Sequence, residues 1–244
     1  MENTVYVALS RQMILRRQMD VVANNIANAE TTSFKLEKII INTASETLPD
    51  PMDPEDTLDY VLDVALGRDF GQGALARTGG PLDFGIEGEG FFKVAHPDGE
   101  RFTRDGRFSI DEQGRLTTRQ KLPVQGDGGD IILDPKKGEP TVASDGTISQ
   151  AGLRVGKLSV FSFESLAGLS KTGDGLYRND SNIPATAATN AIIQQATLEG
   201  SNVQPILEIT NMIEINRAYE QITRMMDQTA ELDRRSIERL GRLA

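Results

Sequence analysis

The stretch VVANNIANAETTSFK, residues 21–35, places asparagines in an otherwise apolar helical pattern and then breaks that pattern with threonines and a serine. An asparagine inside a helix competes for the hydrogen bonds of its own backbone. One asparagine here would be typical of a frayed helix end with a left-handed cap. Three of them so close together, Asn24, Asn25 and Asn28, favour amides that bond outside their own helix, where a polar group in a packed seam fixes register. We therefore expect these asparagines to specify how helices dock.

The residues leading into this stretch repeat with a heptad period, which predicts a helix over 4–29 with a narrow apolar seam. The seam has one polar break. One series holds Val5, Gln12, Met19 and Ile26, and the other holds Ala8, Leu15, Val22 and Ala29.

A second helix is predicted over 201–241, where apolar residues again recur at helical spacing. Ser201 precedes Gln204 as in a capping box, and Pro205 falls in the first turn, where its missing N–H costs little. Arginines crowd the other end, which suits the negative end of the helix dipole. The apolar series consists of Met212, Ile215, Tyr219, Ile222 and Met226.

Between the two helical segments the pattern of apolar and polar residues no longer has a helical period. Residues 36–74 combine an isoleucine run, prolines among acids and the alternating segment YVLDVAL, which predicts an extended excursion with a strand or two. Over 75–197, short apolar runs are separated by turn signals, and short strands between such turns predict a β domain with many hairpins. The turn signals are PDG (97–99), RDG (104–106), EQG (112–114), SDG (144–146) and GDG (173–175).

The predicted fold class is therefore α+β, with long N- and C-terminal helices that form a coiled-coil-like pair and bracket a β-rich central domain of short strands and hairpins. The predicted divisions are the N-terminal helix in 1–35, an extended linker in 36–74, the β-rich domain in 75–197 and the C-terminal helix in 198–244. Long helices gain too little from local hydrogen bonds to be stable alone in water. They could pair within a monomer, or they could be seam helices that order only among copies of the chain.

Composition narrows the classes of function. The chain has 244 residues, a formal net charge of −10 and no cysteine. An acidic chain repels a phosphate backbone, so nucleic acid is not expected as a partner. Without cysteine there is neither a disulfide nor a thiol nucleophile. No apolar run reaches the roughly 18 residues of a membrane-spanning helix, and early charges interrupt any signal-peptide core, so we expect neither membrane insertion nor a cleavable signal.

The segment ANNIANAETTSFK resembles the signature of the axial proteins of the bacterial flagellum, the rod and hook family. Three further segments resemble the central and C-terminal motifs of that family, in the same order: TGGPLDFGIEGEGFF (78–92), FTRDGRFSIDEQGRL (102–116) and LEGSNVQPILEITNMIEINRAYE (198–220). Within the family, the length and the opening MENTVYVALS look most like proximal-rod members. Distal-rod and hook-type subunits are the alternatives.

The resemblance implies a structural subunit that is exported through the flagellar type III apparatus without cleavage. It implies assembly in the periplasm into the hollow, torque-transmitting rod of the basal body, with copies of itself and other rod proteins as partners. Residues 23–28 would form the inner-helix end, and residues 201–203 the junction back to the C-terminal helix. The candidate assembly residues are Val5, Leu15, Met19, Val22, Asn24, Asn25, Ile26, Asn28, Phe34, Ser201, Asn202, Val203, Met212, Ile215, Tyr219, Ile222 and Met226.

One residue departs from the family pattern. Ser33 stands where members commonly have glycine before the aromatic residue, here Phe34. A non-glycine residue in a left-handed turn costs on the order of 1 kcal/mol. Either the turn differs in this chain, or assembly overrides the cost.

Other classes of function have weaker support in the sequence. The single histidine, His96, stands in a hairpin context without a second histidine for a metal site. Asp83, Glu87 and Glu89 could form a carboxylate pair for glycoside chemistry on the cell wall, but acids beside glycine turns are usually solvated. GIEGEG lacks the spacing of a dinucleotide site. A trimeric fibre would explain the helices but not the motifs at their ends. The sequence therefore predicts no enzyme, metal or cofactor.

Overall fold

The computed structural model describes residues 2–47, 57–181 and 183–241. The chain forms two compact units that do not follow its order. The helical unit contains Met1–Asn28, Leu36–Asp69 and Val203–Ala244. The β unit contains Ala29–Lys35 and Phe70–Asn202.

The helical unit consists of α1 (Glu2–Ala27), β1 (Glu37–Thr47), β2 (Thr57–Arg68) and α2 (Pro205–Gly241). α1 ends where the N–H of Asn28 is shared between the carbonyls of Asn24 and Asn25, both at 3.1 Å. α2 begins at a proline, whose missing N–H is not needed at the first helical position. β1 and β2 pair as an antiparallel ribbon with one irregularity after Asn42. The excursion predicted over 36–74 thus contains two paired strands.

The β unit is built from short strands and two 3₁₀ turns. Its strands are β3 (Leu75–Arg77), β4 (Phe84–Glu87), β5 (Phe91–His96), β6 (Gly99–Thr103), β7 (Ser109–Ile110), β8 (Leu116–Thr117), β9 (Val124–Gly126), β10 (Gly129–Asp130), β11 (Thr141–Val142), β12 (Thr147–Gln150), β13 (Leu153–Lys157), β14 (Val160–Ser162), β15 (Leu169–Gly173), β16 (Leu176–Asn179), β17 (Thr186–Ala187), β18 (Ile192–Gln195) and β19 (Thr197–Glu199).

The largest sheet of the β unit has eight strands in the order β10-β9-β5-β6-β16-β15, with β14 joining β5 to β17. Two cores flank β5, because alternate residues of a strand point to opposite faces. Phe92 lies in the larger core with aliphatic residues such as Leu116 and Val124. Phe91 lies in the smaller core with Phe102, Leu169 and Tyr177.

Aspartate side chains close the turns of the β unit. All but one of the predicted turn signals join strands that pair with each other. In the SDG turn, the Asp145 carboxylate accepts hydrogen bonds from the backbone N–H of Thr147 (3.0 Å) and from its hydroxyl (2.8 Å), and these bonds lower the pKa of Asp145. Desolvation acts to raise the pKa of Asp111, but bonds from the backbone N–H and the guanidinium of Arg115 prevail and lower it.

The prediction of a coiled-coil-like helix pair is wrong. The chain does have one N-terminal and one C-terminal helix on either side of a β-rich segment, and α1 packs on α2. However, α1 also packs against β1, so a strand takes contacts that a second helix would make in a coiled coil. Ile14, which belongs to neither series of the predicted seam, is buried as deeply as the seam residue Ala8. The apolar stripe of α1 is therefore wider than a coiled-coil seam.

In the described part of the chain, neither helix is long and apolar enough to cross a membrane.

Candidate functional site

The apolar residues predicted for α1 face the interior of the helical unit. Leu15 is buried, and Met19, Val22 and Ile26 are half-buried. Val5 lies in α1, but its side chain falls outside the described residues. The Nε2 of Gln12, the polar break in the seam, donates to the Oγ1 of Thr223 on α2 at 3.1 Å.

The apolar residues predicted for α2 are less deeply covered. Val203, just before the helix, is buried, and Ser201 and Asn202 before it are half-buried. The side chains of the α2 series keep part of their surface exposed although α1 packs beside them. These half-buried side chains are Met212, Ile215, Tyr219, Ile222 and Met226.

Asn25 forms the centre of a buried polar network in the helical unit. Its Nδ2 donates to the carbonyl of Glu37 and to the Oε2 of Glu208, each at 2.9 Å, and its Oδ1 accepts from the N–H of Glu37 at 3.0 Å. The amide therefore bonds to the backbone at the start of β1 as a neighbouring strand would, while it also holds α2. This single side chain joins three elements.

The neighbouring asparagines have different partners. The Nδ2 of Asn24 donates to the Oε2 of Glu37 at 3.1 Å, and the Nδ2 of Asn28 donates back to the carbonyl of Asn24 at 2.8 Å. Both sets of partners lie within the same chain. That the three asparagines set the register of an assembly stays a prediction.

Glu37 and Glu208 were missed by sequence reasoning. Both side chains are buried, and Arg68 lies 3.3 Å from the Oε1 of Glu37. An acidic residue at the start of a strand, or in the first turn of a helix, ordinarily indicates a solvated position. Glu37 and Glu208 are buried because β1 and the start of α2 both pack against Asn25 in the folded chain.

The turn at Ser33 is left-handed, with φ of +57°, so the serine keeps the conformation that glycine usually adopts. In the β unit, the Ser33 hydroxyl donates to the carbonyl of Arg104 at 2.7 Å, and its N–H donates to the carbonyl of Glu199 at 2.9 Å. Glycine could not make the first of these bonds. The hydroxyl thus offsets the conformational cost within the chain.

A buried charge cluster lies beside this turn in the β unit. The Glu199 carboxylate lies 2.7 Å from the Nζ of Lys35 and 2.7 Å from the Nε of Arg104, and it accepts the N–H of Gly73 at 2.8 Å. The rest of the Arg104 guanidinium donates to the carbonyls of Gly88 and Gly90, each at 3.0 Å. Each charged member of this cluster sits inside one of the segments quoted for the resemblance.

Phe34 is anchored between the same segments. Its ring is buried in the β unit, with the Nζ of Lys171 at 4.5 Å from the ring centroid. Its carbonyl accepts the N–H of Asn202 at 3.3 Å, and the Nδ2 of Asn202 donates to the carbonyl of Gly71 at 3.0 Å. Phe34 and Asn202 therefore tie the 29–35 turn to the rest of the β unit.

Both helices of the helical unit also carry large apolar side chains that face solvent. Tyr6 and Met13 on α1 are 71% and 66% exposed, and Ile206 on α2 is 79% exposed. Leu9 on α1 and Ile213 on α2 are exposed as well. Tyr6, Leu9 and Met13 follow one another at helical spacing on α1, and Ile206 and Ile213 do so on α2, so each helix presents its own apolar row to solvent. An exposed apolar patch of this kind marks an interaction site.

The residues considered for catalysis have ordinary structural partners. The Nδ1 of His96 accepts the N–H of Asp98 in the β5–β6 turn. Glu87 accepts a hydrogen bond from Gln194 on β18, and Asp83 accepts one from Thr78. Among the described residues, no three His, Asp or Glu side chains are grouped as a metal would require. The absence of enzymatic activity stays a prediction.

Models of known protein families match the parts of the chain that contain the quoted motifs. Residues 5–35 match the model of the flagella basal body rod protein, residues 85–150 that of the FlgE/F/G D1 domain of the flagellar hook protein, and residues 194–239 that of the C-terminal part of the flagellar basal body rod FlgEFG protein.

Individual relatives match over most of the chain. The flagellar basal-body rod protein FlgF of Caulobacter vibrioides is 48% identical over 100% of both chains, and FlgF of Mesorhizobium japonicum is 34% identical over 99% of both. The rod protein FlgG of Buchnera aphidicola is 33% identical over 83% of this chain and 86% of its own. The chain belongs to the flagellar basal-body rod protein family.

Proposed function

We propose that this chain is a structural subunit of the flagellar basal-body rod that polymerises through its terminal helices into a hollow, torque-transmitting shaft in the periplasm. The proposal includes export by the flagellar type III apparatus and contact with copies of itself and with other rod proteins. The proposed function is assembly and includes no catalytic step.

The observation that carries this proposal is the apolar surface of the helical unit. Side chains as large as Tyr6, Met13 and Ile206 remain exposed although α1 and α2 pack on each other and α1 packs on β1. Burial contributes about 25 cal/mol for each Å² of apolar surface removed from water, so copies that cover these side chains gain free energy. Each added copy repeats that gain along a polymer.

A proximal-rod position within the shaft is favoured over a distal-rod or hook-type position. The relatives named FlgF align with 99% to 100% of this chain, whereas those named FlgG align with 83% to 95% of it. The FlgG-like position remains the second candidate, because identity to the Buchnera FlgG, at 33%, is close to the 34% of the Mesorhizobium FlgF.

The test is complementation of a strain that lacks the gene. We expect the wild-type chain to restore flagella and to copurify with detergent-extracted basal bodies. Ile206→Asp and Ile213→Asp should abolish flagella because they place charges in the helix contacts. Ile132→Asp is the matched control, since Ile132 is 60% exposed in the β unit. Absence of the wild-type chain from basal bodies, with flagella unchanged in the deletion strain, would refute the proposal.

A further inference from the structure

The helical unit contains a groove between α1, β1 and α2, with a volume of about 360 Å³. Its apolar wall includes Val22 of α1, Ile39 of β1 and Ile215 of α2. These side chains are half-buried, so the groove is open to solvent and has room for a few side chains. The monomer leaves this space unfilled by its own described residues.

The polar wall of the groove is acidic. Glu37, Glu208 and Glu214 line it. Glu37 is paired with Arg68 at 3.3 Å, and the lysine beside it, Lys38, lies 3.4 Å from Asp69. The carboxylate of Glu208 is held by the neutral amides of Asn25 and Asn211, and no described Lys or Arg lies within ion-pair distance of Glu208 or Glu214. Removing a carboxylate from water without a cation beside it costs free energy. The groove therefore favours a partner that brings a positively charged side chain.

α1 also carries an exposed surface whose chemistry complements that of the groove. Tyr6, Leu9, Met13 and Arg16 are exposed, and spacings of three and four residues place them on one face of α1. We call these four residues the α1 stripe. It combines three large apolar side chains with one cation, whereas the groove combines an apolar wall with carboxylates.

We propose that the α1 stripe of one copy seats in the acidic groove of a second copy, with Met13 and Leu9 against the apolar wall and the Arg16 guanidinium among Glu208 and Glu214. The inference rests on the proposed function, since it names the contact by which copies polymerise. Arginine suits this role because its planar guanidinium binds carboxylates with two parallel hydrogen bonds and is weakly hydrated.

The geometry of this contact produces a chain of copies rather than a closed pair. The stripe is centred near residue 11 and the groove near residue 20 of α1, roughly 15 Å apart at the rise of an α-helix. Met13 of the stripe and Val22 of the groove are nine positions apart, which is about two and a half turns, so the two surfaces face opposite sides of α1. A partner that covers the stripe therefore leaves the groove of the same copy empty. Heterologous contacts of this kind build an open helical polymer when the rotation between copies does not close.

The first test is a charge exchange in the complementation assay. We expect Arg16→Glu and Glu214→Arg each to reduce the number of flagella per cell about tenfold, which corresponds to the loss of one close charge pair. Arg16→Glu with Glu214→Arg in one chain should restore them. Arg17→Glu, the same change one residue off the stripe, is the control and should have little effect. Failure of the double variant to recover, or an equal loss with Arg17→Glu, would overturn the pairing.

The second test uses the absence of cysteine from the natural chain. Two differently tagged full-length chains, one with Met13→Cys and one with Glu214→Cys, are co-expressed and oxidised in the assembled basal body. A disulfide-linked product that carries both tags must contain two different copies of the chain. We expect about tenfold more of it than with Ile132→Cys and Glu214→Cys, because neighbouring sites have a high effective concentration.

These outcomes separate the two proposals. If the wild-type chain is present in basal bodies but the Met13→Cys chain forms no disulfide with the Glu214→Cys chain above the level of the Ile132→Cys control, the groove contact is refuted and the proposed function stands. If the wild-type chain is absent from basal bodies, both are refuted.

Discussion

The helical unit and the β unit differ in how much of their apolar surface they cover. In the β unit most large apolar side chains close on one another, and Phe84, Ile86 and Phe92 are almost fully removed from water, although Ile132 and Leu153 stay exposed. In the helical unit, side chains such as Met13 and Ile206 remain open to solvent. The difference indicates that the β unit carries its own core, whereas the helical unit leaves part of its stability to whatever covers it.

The buried polar networks of the two units also differ, in the chemical groups at their centres. The β unit buries full charges, with Glu199 between Lys35 and Arg104. The helical unit centres its network on the neutral amide of Asn25, which bonds to Glu37 and Glu208. A closed core can enclose a charge cluster only when every charge is paired, because the cost of an unpaired buried charge is large. The helical unit also buries the Glu208 carboxylate, but the amides of Asn25 and Asn211 hold it instead of a cation.

The largest expected effect concerns local opening in the isolated monomer. We expect trypsin to cleave at Arg16 and Arg17 of α1 and Arg217 of α2 at least about 100-fold faster than at Arg101 and Arg104 of the β unit, because local opening costs far less than global unfolding. Limited digestion of sedimentation-verified monomer, with fragments identified by mass, measures the ratio. Equal protection of both units would remove the contrast and show that the helices satisfy each other.

The next effect tests the charge cluster of the β unit. Glu199→Ala leaves Lys35 and Arg104 buried without a counter-charge, which should cost about 3–5 kcal/mol in the free energy of unfolding. Urea unfolding followed by circular dichroism measures it. Glu100→Ala removes the partner of Lys93 from a more exposed pair and should cost less than about 1 kcal/mol. Similar losses for both variants would mean that the cluster is no more important than a surface ion pair.

A smaller effect is expected in the helical unit. Asn25→Ala leaves the N–H and carbonyl of Glu37 and the Glu208 carboxylate without their amide partner, at a cost of about 1–3 kcal/mol. Asn24→Ala, at an exposed position one residue away, should cost no more than about 0.5 kcal/mol, because alanine also improves helix propensity. Hydrogen exchange of α1 amides in the monomer compares the two. If Asn24→Ala is the more damaging variant, the network is not centred on Asn25.

The turn at Ser33 allows a finer comparison. Ser33→Ala keeps the left-handed backbone but loses the bond to the Arg104 carbonyl, so we expect about 1 kcal/mol of destabilisation. Ser33→Gly loses the same bond but relieves a strain of about 1 kcal/mol, so it should be nearly neutral. The two variants are ranked by the urea midpoint of the β unit. The reverse ranking would show that the left-handed turn holds no strain for glycine to relieve, and a Ser33→Ala variant as stable as the wild type would show that the hydroxyl does not compensate the turn.

The smallest effect is a pH dependence of the β unit. The folded-state pKa of Asp145 lies below its ordinary 3.8, because Thr147 bonds favour the ionised form. Its contribution to stability is therefore complete above that value and is lost as pH falls through the lower folded pKa. Asp145→Asn keeps an acceptor oxygen but does not titrate, so its melting temperature should fall less steeply with acid than that of the wild type. Parallel curves for the two proteins would exclude a role for this turn in acid stability.

Much of the helical unit could be predicted from the sequence, because helical periodicity is a local property. The repeats that contain Leu15 and Met19 place α1, and those that contain Ile215 and Ile222 place α2. The prediction failed where the next element of the chain folds back, since β1 packs on α1 and removes the basis for a coiled-coil-like pair. Glu37 and Glu208 were not found for the same reason.

The sequence by itself determined two helices, a β-rich segment with Asp-Gly turns between strands, and the family to which its ordered motifs point. These properties follow from residues that are near one another in the chain. Only the tertiary structure decided that Lys35, Arg104 and Glu199 form one buried cluster and that Asn25 holds both β1 and α2. Charges and amides carry no sign of their future burial, because the cost of burying them is set by partners that the fold brings from far along the chain.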